Sequence, residues 1–294
     1  MKALLIINPN AGAGRRRVSP QPIIKEAFAK EPFFELDIHE TTGPGDATNA
    51  ARQAALDGYD VVMAAGGDGS IFEVSNGLVG TDTALGVIPV GTENVLAREM
   101  GVPLQPRLAC QHLIKSQTRT IDVGKVGDQH FVCFAGIGFD AHVAHNLPSE
   151  RKKRFGALAY FFTSAQTLGS YRKAPHQARI TVDGTTHEVE FLILVISNIR
   201  SYGGRLVPAP KASVDDGLLD VCIFPNANYL DLMRQTVAMR SGKHIALPGV
   251  QYYQAKEVLI ETDAEKQIQL DGDAWPGSSP FRVSVVPKSL KVRF

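Results

Sequence analysis

The stretch Val61-Val-Met-Ala-Ala65-Gly66-Gly67-Asp68-Gly69-Ser70-Ile71-Phe72-Glu-Val-Ser-Asn-Gly-Leu78 sets the architecture of the first half of the chain. Five apolar residues, Val61 to Ala65, read as a buried strand, and Ile71 to Leu78 as the helix that follows a glycine-rich turn. The same alternation extends to both sides. Ala3 to Ile7, Phe34 to His39 and Ala84 to Ile88 read as strands. Pro22 to Ala29, Asp46 to Leu56, Glu93 to Met100 and Leu104 to Ile114 read as helices. Strands alternating with helices at this spacing predict a parallel sheet covered by helices. Ligands of such sheets bind where the strands feed their C-terminal loops.

Three of those loops are glycine-rich. Asn8-Pro-Asn-Ala-Gly-Ala-Gly14 follows the first strand, Gly66 to Ser70 follows the Val61 strand, and Gly91-Thr92-Glu93-Asn94 follows Val87-Ile88. Glycine permits close backbone approach, and amides at a helix start accept phosphate oxygens. Asp68 sits inside such a turn, and Mg²⁺ favours one or two carboxylates alongside substrate phosphates. Each turn alone reads equally as a structural turn; three at one sheet edge point to a phosphate ligand. No GxxxxGK[ST] is present, which sets the P-loop ATPases aside.

Near Thr120 the pattern turns to β. Ile121 to Val126, His130 to Ala135, Ala178 to Val182, Glu188 to Ser197, Leu218 to Phe224, Glu257 to Thr262, Gln267 to Leu270 and Phe281 to Val286 read as strands, with helix-like pieces at Phe155 to Leu168 and Tyr229 to Met239. An antiparallel sandwich is expected. Two acidic turns stand out, Asp215-Asp216-Gly217 before one strand and Asp271-Gly272-Asp273 after another. Asp-Gly is a common hairpin turn; the functional reading gives one a general base and the other a cation.

Composition narrows the classes. A chain of 294 residues predicts about two domains. Lys+Arg of 31 against Asp+Glu of 30 argues against a dedicated nucleic-acid binder. No run near 18 apolar residues is present to span a membrane, and MKALLIINPN reads as a first strand rather than a leader. Three scattered cysteines form no ligand set and predict a reducing, cytoplasmic setting. The histidines show no metal spacing, and Trp275 is expected to pack.

Taken together, INPNAGAG, the GDA of residues 45–47, GGDGSIFEVSNGL, IPVGTENVLAREMG, AGIGFDAHV, SNIRSYGGRLVPAPKASVDDGLLDV and LDGDAWPG resemble the diacylglycerol kinase catalytic family. That family of soluble lipid kinases also includes sphingosine and ceramide kinases. The motifs run in family order from residue 6 to 277. The resemblance implies an α/β + β fold. Residues 1–121 would form an N-terminal α/β nucleotide-binding domain of phosphofructokinase or NAD-kinase type. Residues 122–294 would form a C-terminal antiparallel β-sandwich for the lipid, with the last strand open to return to the first domain and the active site in the cleft.

Residue by residue, the resemblance assigns Asn8, Pro9, Gly12, Thr41, Gly66, Gly67, Asp68, Gly69, Ser70, Ile71, Phe72, Thr92 and Asn94 to the nucleotide. Ser213, Asp216 and Leu218 match a structural Mg²⁺ site, with Ser213 and Leu218 contributing carbonyls. Asp271 and Asp273 match the acidic pair that carries the general-base role, and either reads as the base. Three positions depart from the family. Val95 stands where an Asp often follows GTxN, Ser70 replaces Thr with its hydroxyl kept, and Asp273 replaces Glu with one methylene fewer.

The expected reaction is ATP- and Mg²⁺-dependent transfer of the γ-phosphate to the hydroxyl of a diacylglycerol-like or sphingoid lipid. Asp68, Asp271 and Asp273 are the catalytic candidates. A lipid substrate implies peripheral contact with the inner membrane face, for which Arg151 to Arg154 beside Phe155 to Phe162 offer a basic cluster and an apolar stretch. The alternatives are an NAD kinase-like or other small-molecule kinase, and a nucleotide-binding regulatory protein with little turnover. The sequence leaves the oligomeric state open, a homodimer being one reading.

Overall fold

The computed structural model describes residues 1–9, 19–139, 141, 176–203, 206–225, 229–262 and 268–294. Gly12, Arg15 to Arg17, Arg151 to Arg154 and the expected Phe155 to Leu168 helix lie outside them. The chain forms two units, Met1–Ile121 with Lys288–Phe294, and Asp122–Pro287.

In the first unit, β1 (Lys2–Ile7), β2 (Glu35–Glu40), β3 (Val61–Gly66) and β4 (Ala84–Pro89) pair in parallel in the order β2-β1-β3-β4. Every residue of β3 and β4 is buried, as a central parallel strand requires. At the edge, β2 mixes exposed and half-buried residues. The helices are α1 (Gln21–Ala29), α2 (Asp46–Leu56), α3 (Asp68–Leu78), α4 (Val95–Glu99) and α5 (Pro106–Lys115). The last is close to the expected Leu104 to Ile114, but α4 starts two residues after the expected Glu93 because Asp68 caps it at Val95. Two glycines set the packing distances. A Cβ on Gly77 of α3 would lie 2.7 Å from Ala51 Cβ of α2, and one on Gly86 of β4 would lie 2.8 Å from Leu113 of α5.

In the second unit, β7 (Phe134–Gly138), β10 (Ile193–Ser197), β11 (Leu219–Phe224), β12 (Gln251–Ala255), β14 (Ile268–Leu270) and β15 (Asp273–Trp275) form an antiparallel sheet ordered β12-β11-β10-β7-β14-β15. A second set pairs β9 (Thr185–Phe191), β8 (His176–Val182), β13 (Glu257–Thr262) and the start of β16 (Phe281–Arg293) antiparallel. β5 (Thr118–Val126) pairs with β6 (Gln129–Phe131). Near its end, β16 runs parallel to β4, Val292 opposite Leu85. α6 (Tyr229–Met239) matches its expected span and leads into a 3₁₀ turn at Lys243–Ala246.

Two expected strands are each two. Glu188 to Ser197 breaks at Leu192, where β9 ends in one sheet and β10 begins in the other. The Leu192 amide donates to Phe224 O, and its carbonyl accepts from the Phe139 amide. A continuous apolar run gives no sign of a change of sheet. His130 to Ala135 breaks at Val132-Cys133, where an aspartate described below takes the amides that a ladder would use. The short strands β12 and β15 carry too little apolar pattern to be read in advance. Cys110, Cys133 and Cys222 are buried and free. Among the described residues no helix is long and apolar enough to cross a membrane.

Candidate active site

The four parallel strands of the first unit end level with one another: Ile7 pairs with Glu40 and Ala65, Ala65 with Ile88, and Gly66 with Pro89. Their C-terminal turns therefore open on one edge. This brings together Asn8 and Pro9 after β1, Thr41 after β2, Gly66 to Ser70 after β3, and Thr92 and Asn94 after β4. The Thr41 amide donates to Ile7 O at 3.0 Å, joining the first two turns. Ile71 and Phe72 are buried, so their side chains anchor α3 and leave Gly66 to Ser70 as the part of that segment at the turn.

Asp68 ties the two later turns into one frame. Its carboxylate accepts the Asn94 amide at 3.0 Å and the Val95 amide at 2.6 Å. It thus caps α4 from another loop, a role usually given to the residue preceding the helix. Gly66 O accepts from the Val90 and Gly91 amides. A Cβ on Gly91 would stand 2.5 Å from Gly67 Cα, so Gly91 is required for this approach. Asn94 adopts φ 51° and its Nδ2 donates to Gly91 O. Burial holds the Asp68 carboxyl above the usual carboxylate range against the lowering effect of the two amides, and Glu93 adds to the rise. Val95, the departure from the family pattern, serves through its backbone: its side chain is buried and its amide binds Asp68.

The GDA turn is also docked on this frame. Gly45 N donates to Glu73 Oε2 of α3, and Asp46 accepts from the Thr42 amide, the Thr42 hydroxyl and His39 Nε2. The Thr42 bonds hold the Asp46 carboxyl below its ordinary range.

The second unit treats its acids differently. Ser213, Asp215, Asp216 and Leu218 share one loop. Ser213 Oγ donates to Asp215, the Leu218 amide to Asp216, and the Gly217 amide to Asp122. Partial burial, then the charges of Asp122 and Asp215, raise the Asp216 carboxyl. Farther along, burial and the charge of Asp216 push Asp220 up to about 6. Among the described residues no three carboxylate, imidazole or thiol side chains converge as a metal set. A carboxylate raised by burial and by acidic neighbours, as Asp216 is, nonetheless fits a divalent cation, whose remaining ligands would be carbonyls such as those of Ser213 and Leu218.

The second acidic turn separates its two aspartates. Asp271 and Gly272 both have positive φ, 49° and 92°, and make the two-residue turn between β14 and β15. The Asp271 carboxylate accepts three amides, Val132 at 2.8 Å, Cys133 at 2.9 Å and Phe134 at 2.8 Å. Asp273, at the start of β15, is exposed. Trp275 packs against Phe281 at 5.8 Å between centroids.

Two residues not singled out in the sequence emerge here. Asn198 is fully buried, and its Nδ2 donates to both Asp122 O and Val132 O. It thereby connects the Asp122 end of the acidic loop to the segment clasped by Asp271. Asp122 is fully buried and holds the Gly217 amide. Both lie within quoted or strand-forming stretches, but only their position in space distinguishes them.

Comparison with known proteins follows the same division. Residues 2–126 match the diacylglycerol kinase catalytic domain, and residues 134–294 match the YegS C-terminal NAD kinase beta sandwich-like domain. A diacylglycerol kinase of Bacillus subtilis (strain 168) is 35% identical over 281 residues, covering 92% of this chain and 89% of its own. One from Staphylococcus haemolyticus (strain JCSC1435) is 31% identical, covering 99% and 87%. A crystal structure of a diacylglycerol kinase from Bacillus anthracis str. Sterne superposes with a TM-score of 0.79 at 28% identity, covering 100% of this chain and 96% of that one. With the glycine frame, the acidic loop and the order of the motifs all accounted for, the chain belongs to the diacylglycerol kinase family of lipid kinases.

Proposed function

We propose that this lipid kinase transfers the γ-phosphate of ATP to the hydroxyl of a diacylglycerol-like or sphingoid lipid, with Mg²⁺. The observation that carries the reading is the Asp68 clasp, which joins Gly66 to Ser70 and Gly91 to Asn94 into one glycine-lined frame at the sheet edge. Such a frame supplies closely approaching backbone and a helix start for phosphate oxygens. When bound, Mg²⁺ supplies positive charge to those oxygens. Each Asp68 oxygen has capacity for a second partner beyond its amide, so Asp68 serves the frame and the cation together. Asp216, with the carbonyls of Ser213 and Leu218, would hold a structural cation.

The acid–base assignment follows from hydrogen bonding. Asp271 gives three of its roughly four acceptor sites to amides, and its place is architectural. Asp273, exposed beside it, takes the proton of the lipid hydroxyl. As that proton leaves, the oxygen forms a bond to the γ-phosphorus and the bond to the β-phosphate oxygen breaks, releasing ADP. The protein's contribution is chiefly positioning and charge neutralisation.

The test is acceptor phosphorylation from labelled ATP across diacylglycerol, sphingosine and NAD. Labelled lipid phosphate is expected. Label in NAD alone would make the chain a small-molecule kinase, and ATP binding without product on any acceptor would favour a regulatory protein.

A further inference from the structure

Three of the seven large apolar side chains exposed among the described residues sit on one helix of 11 residues, α6: Leu230 at 78%, Val237 at 63% and Met233 at 38%. The opposite face does the packing. Leu232, Thr236 and Met239 are half-buried, Gln235 is buried, and Met239 O accepts the Val207 amide. At about 100° per residue, Leu230, Met233 and Val237 fall within about 60° of arc. Arg234 lies about 40° beyond one edge of that stripe and Asp231 about 100° away, while Arg240 follows in the turn that ends the helix. Arg234, Arg240 and Lys243 are exposed and belong to none of the ion pairs among the described residues. Beside the stripe runs an open groove of about 520 Å³, lined by Met233, Val237, Ala238 and Leu247 with Arg234 and Lys243 at its margin.

The geometry points to α6 as a docking surface for an anionic lipid bilayer, with Leu230, Met233 and Val237 entering the acyl boundary and Arg234, Arg240 and Lys243 on the headgroup phosphates. An apolar stripe flanked by an arginine on the helix and by further cations at its end, with its acid turned away, is the pattern of a helix lying in an interface. A second copy of the chain fits less well. The helix is about 16 Å long, and a stripe about one helix wide falls far short of the roughly 800 Å² per partner of a stable interface. The Val207 amide and Pro208 O are held by Met239 and His244, and the same segment continues into the Ser213 to Leu218 loop. The choice of a bilayer rests on the lipid-kinase reading.

Two measurements separate the two ideas. The first is co-sedimentation of the full chain with vesicles of phosphatidylcholine alone and of phosphatidylcholine with phosphatidylglycerol. The wild type is expected to bind the anionic vesicles more strongly. Leu230→Gln/Val237→Gln lowers partitioning at least tenfold on burial grounds. Arg240→Gln/Lys243→Gln lowers it by about 30-fold on anionic vesicles only, at about 1 kcal/mol per charge. All four positions are exposed, so melting temperatures stay at the wild-type value. The second measurement is kinase rate on a water-soluble short-chain diacylglycerol and on the same headgroup in vesicles. The variants keep the first rate and show a raised apparent KM in the second. Unchanged partitioning of the Leu230/Val237 variant overturns the proposal. So does loss of binding only on charge reversal at 151–154, or a dimer that the variant dissolves without affecting vesicle binding. A wild type that binds vesicles but phosphorylates no lipid leaves docking intact and refutes the substrate reading.

Discussion

The Asp68 turn of the first unit and the Ser213 to Leu218 loop of the second both gather acids beside a strand, and they balance the charge by opposite means. Asp68 meets backbone amides, two of them, from a turn 26 and 27 residues away. Asp271 does the same with three. In the 213–218 loop, Asp216 accepts a single amide, and burial, then the charges of Asp122 and Asp215, lift its carboxyl. Where several amides and no acid meet the carboxylate, its charge chiefly holds the chain. Where carboxylates crowd one another, the site favours a cation.

The sharpest way to break this comparison lies within one turn. Asp273→Ala is expected to lower kcat by roughly 10²–10⁴-fold, the usual worth of a positioned base, while its urea midpoint stays at the wild-type value. Asp271→Ala should instead lose about 3 kcal/mol of stability, about 1 kcal/mol for each orphaned amide, read from the same urea titration. An unchanged midpoint for Asp271→Ala would mean that the three amides do not hold the turn.

Next in size is Asp68→Ala, with about 2 kcal/mol lost for two amides by the same reasoning. Asp68→Asn, which keeps one acceptor, should recover about half, measured by urea denaturation without nucleotide. The cation loop gives a smaller effect of opposite character. Mg²⁺ at tenfold its Kd should raise wild-type stability by about 1.4 kcal/mol, seen as a rise in Tm. Asp216→Asn should abolish that rise and melt no lower than wild type when metal-free, because it removes a charge raised by its neighbours. A destabilised metal-free Asp216→Asn would mean that the Leu218 amide bond outweighs the repulsion of the neighbouring acids.

The smallest effect comes from a group that the second unit keeps neutral. His244 is buried, its Nε2 lies 3.0 Å from Pro208 O, and burial lowers its pKa below 6.5. A contact to a carbonyl makes Nε2 the donor. Above pH 6.5 neither folded nor unfolded chain is protonated there, and its contribution is flat. As pH falls below 6.5 the unfolded chain takes up a proton that the native chain refuses, so stability declines by at most about 1.4 kcal/mol per pH unit. His244→Gln should flatten that part of the profile in denaturation from pH 7 to 5, leaving the part due to carboxylates.

Much of the first unit was legible because its signals are local. The apolar run Val61 to Ala65 can only be buried, Gly66 and Gly67 admit a tight turn, and Ile71 to Leu78 continues as a helix. The level ending of the strands follows from their parallel order. The Asp-Gly pair at 271–272 was likewise readable as a hairpin turn, since both positions require positive φ. Less was visible where the partner is remote. The three amides of Asp271 lie 137 to 139 residues earlier in the chain, and Asn198 joins segments 66 and 76 residues away.

Composition and strand–helix alternation were therefore enough for the α/β and β halves, because periodicity and turn chemistry act over a few residues, and the resemblance of the ordered motifs pointed to the lipid-kinase family. Tertiary structure alone separated Asp271 from Asp273, turned Val95 from a missing acid into an amide donor, and left Leu230, Met233 and Val237 on the outside of α6. Each of those outcomes depends on which backbone group or surface arrives from elsewhere in the chain. Asp271 becomes architecture because three remote amides reach it.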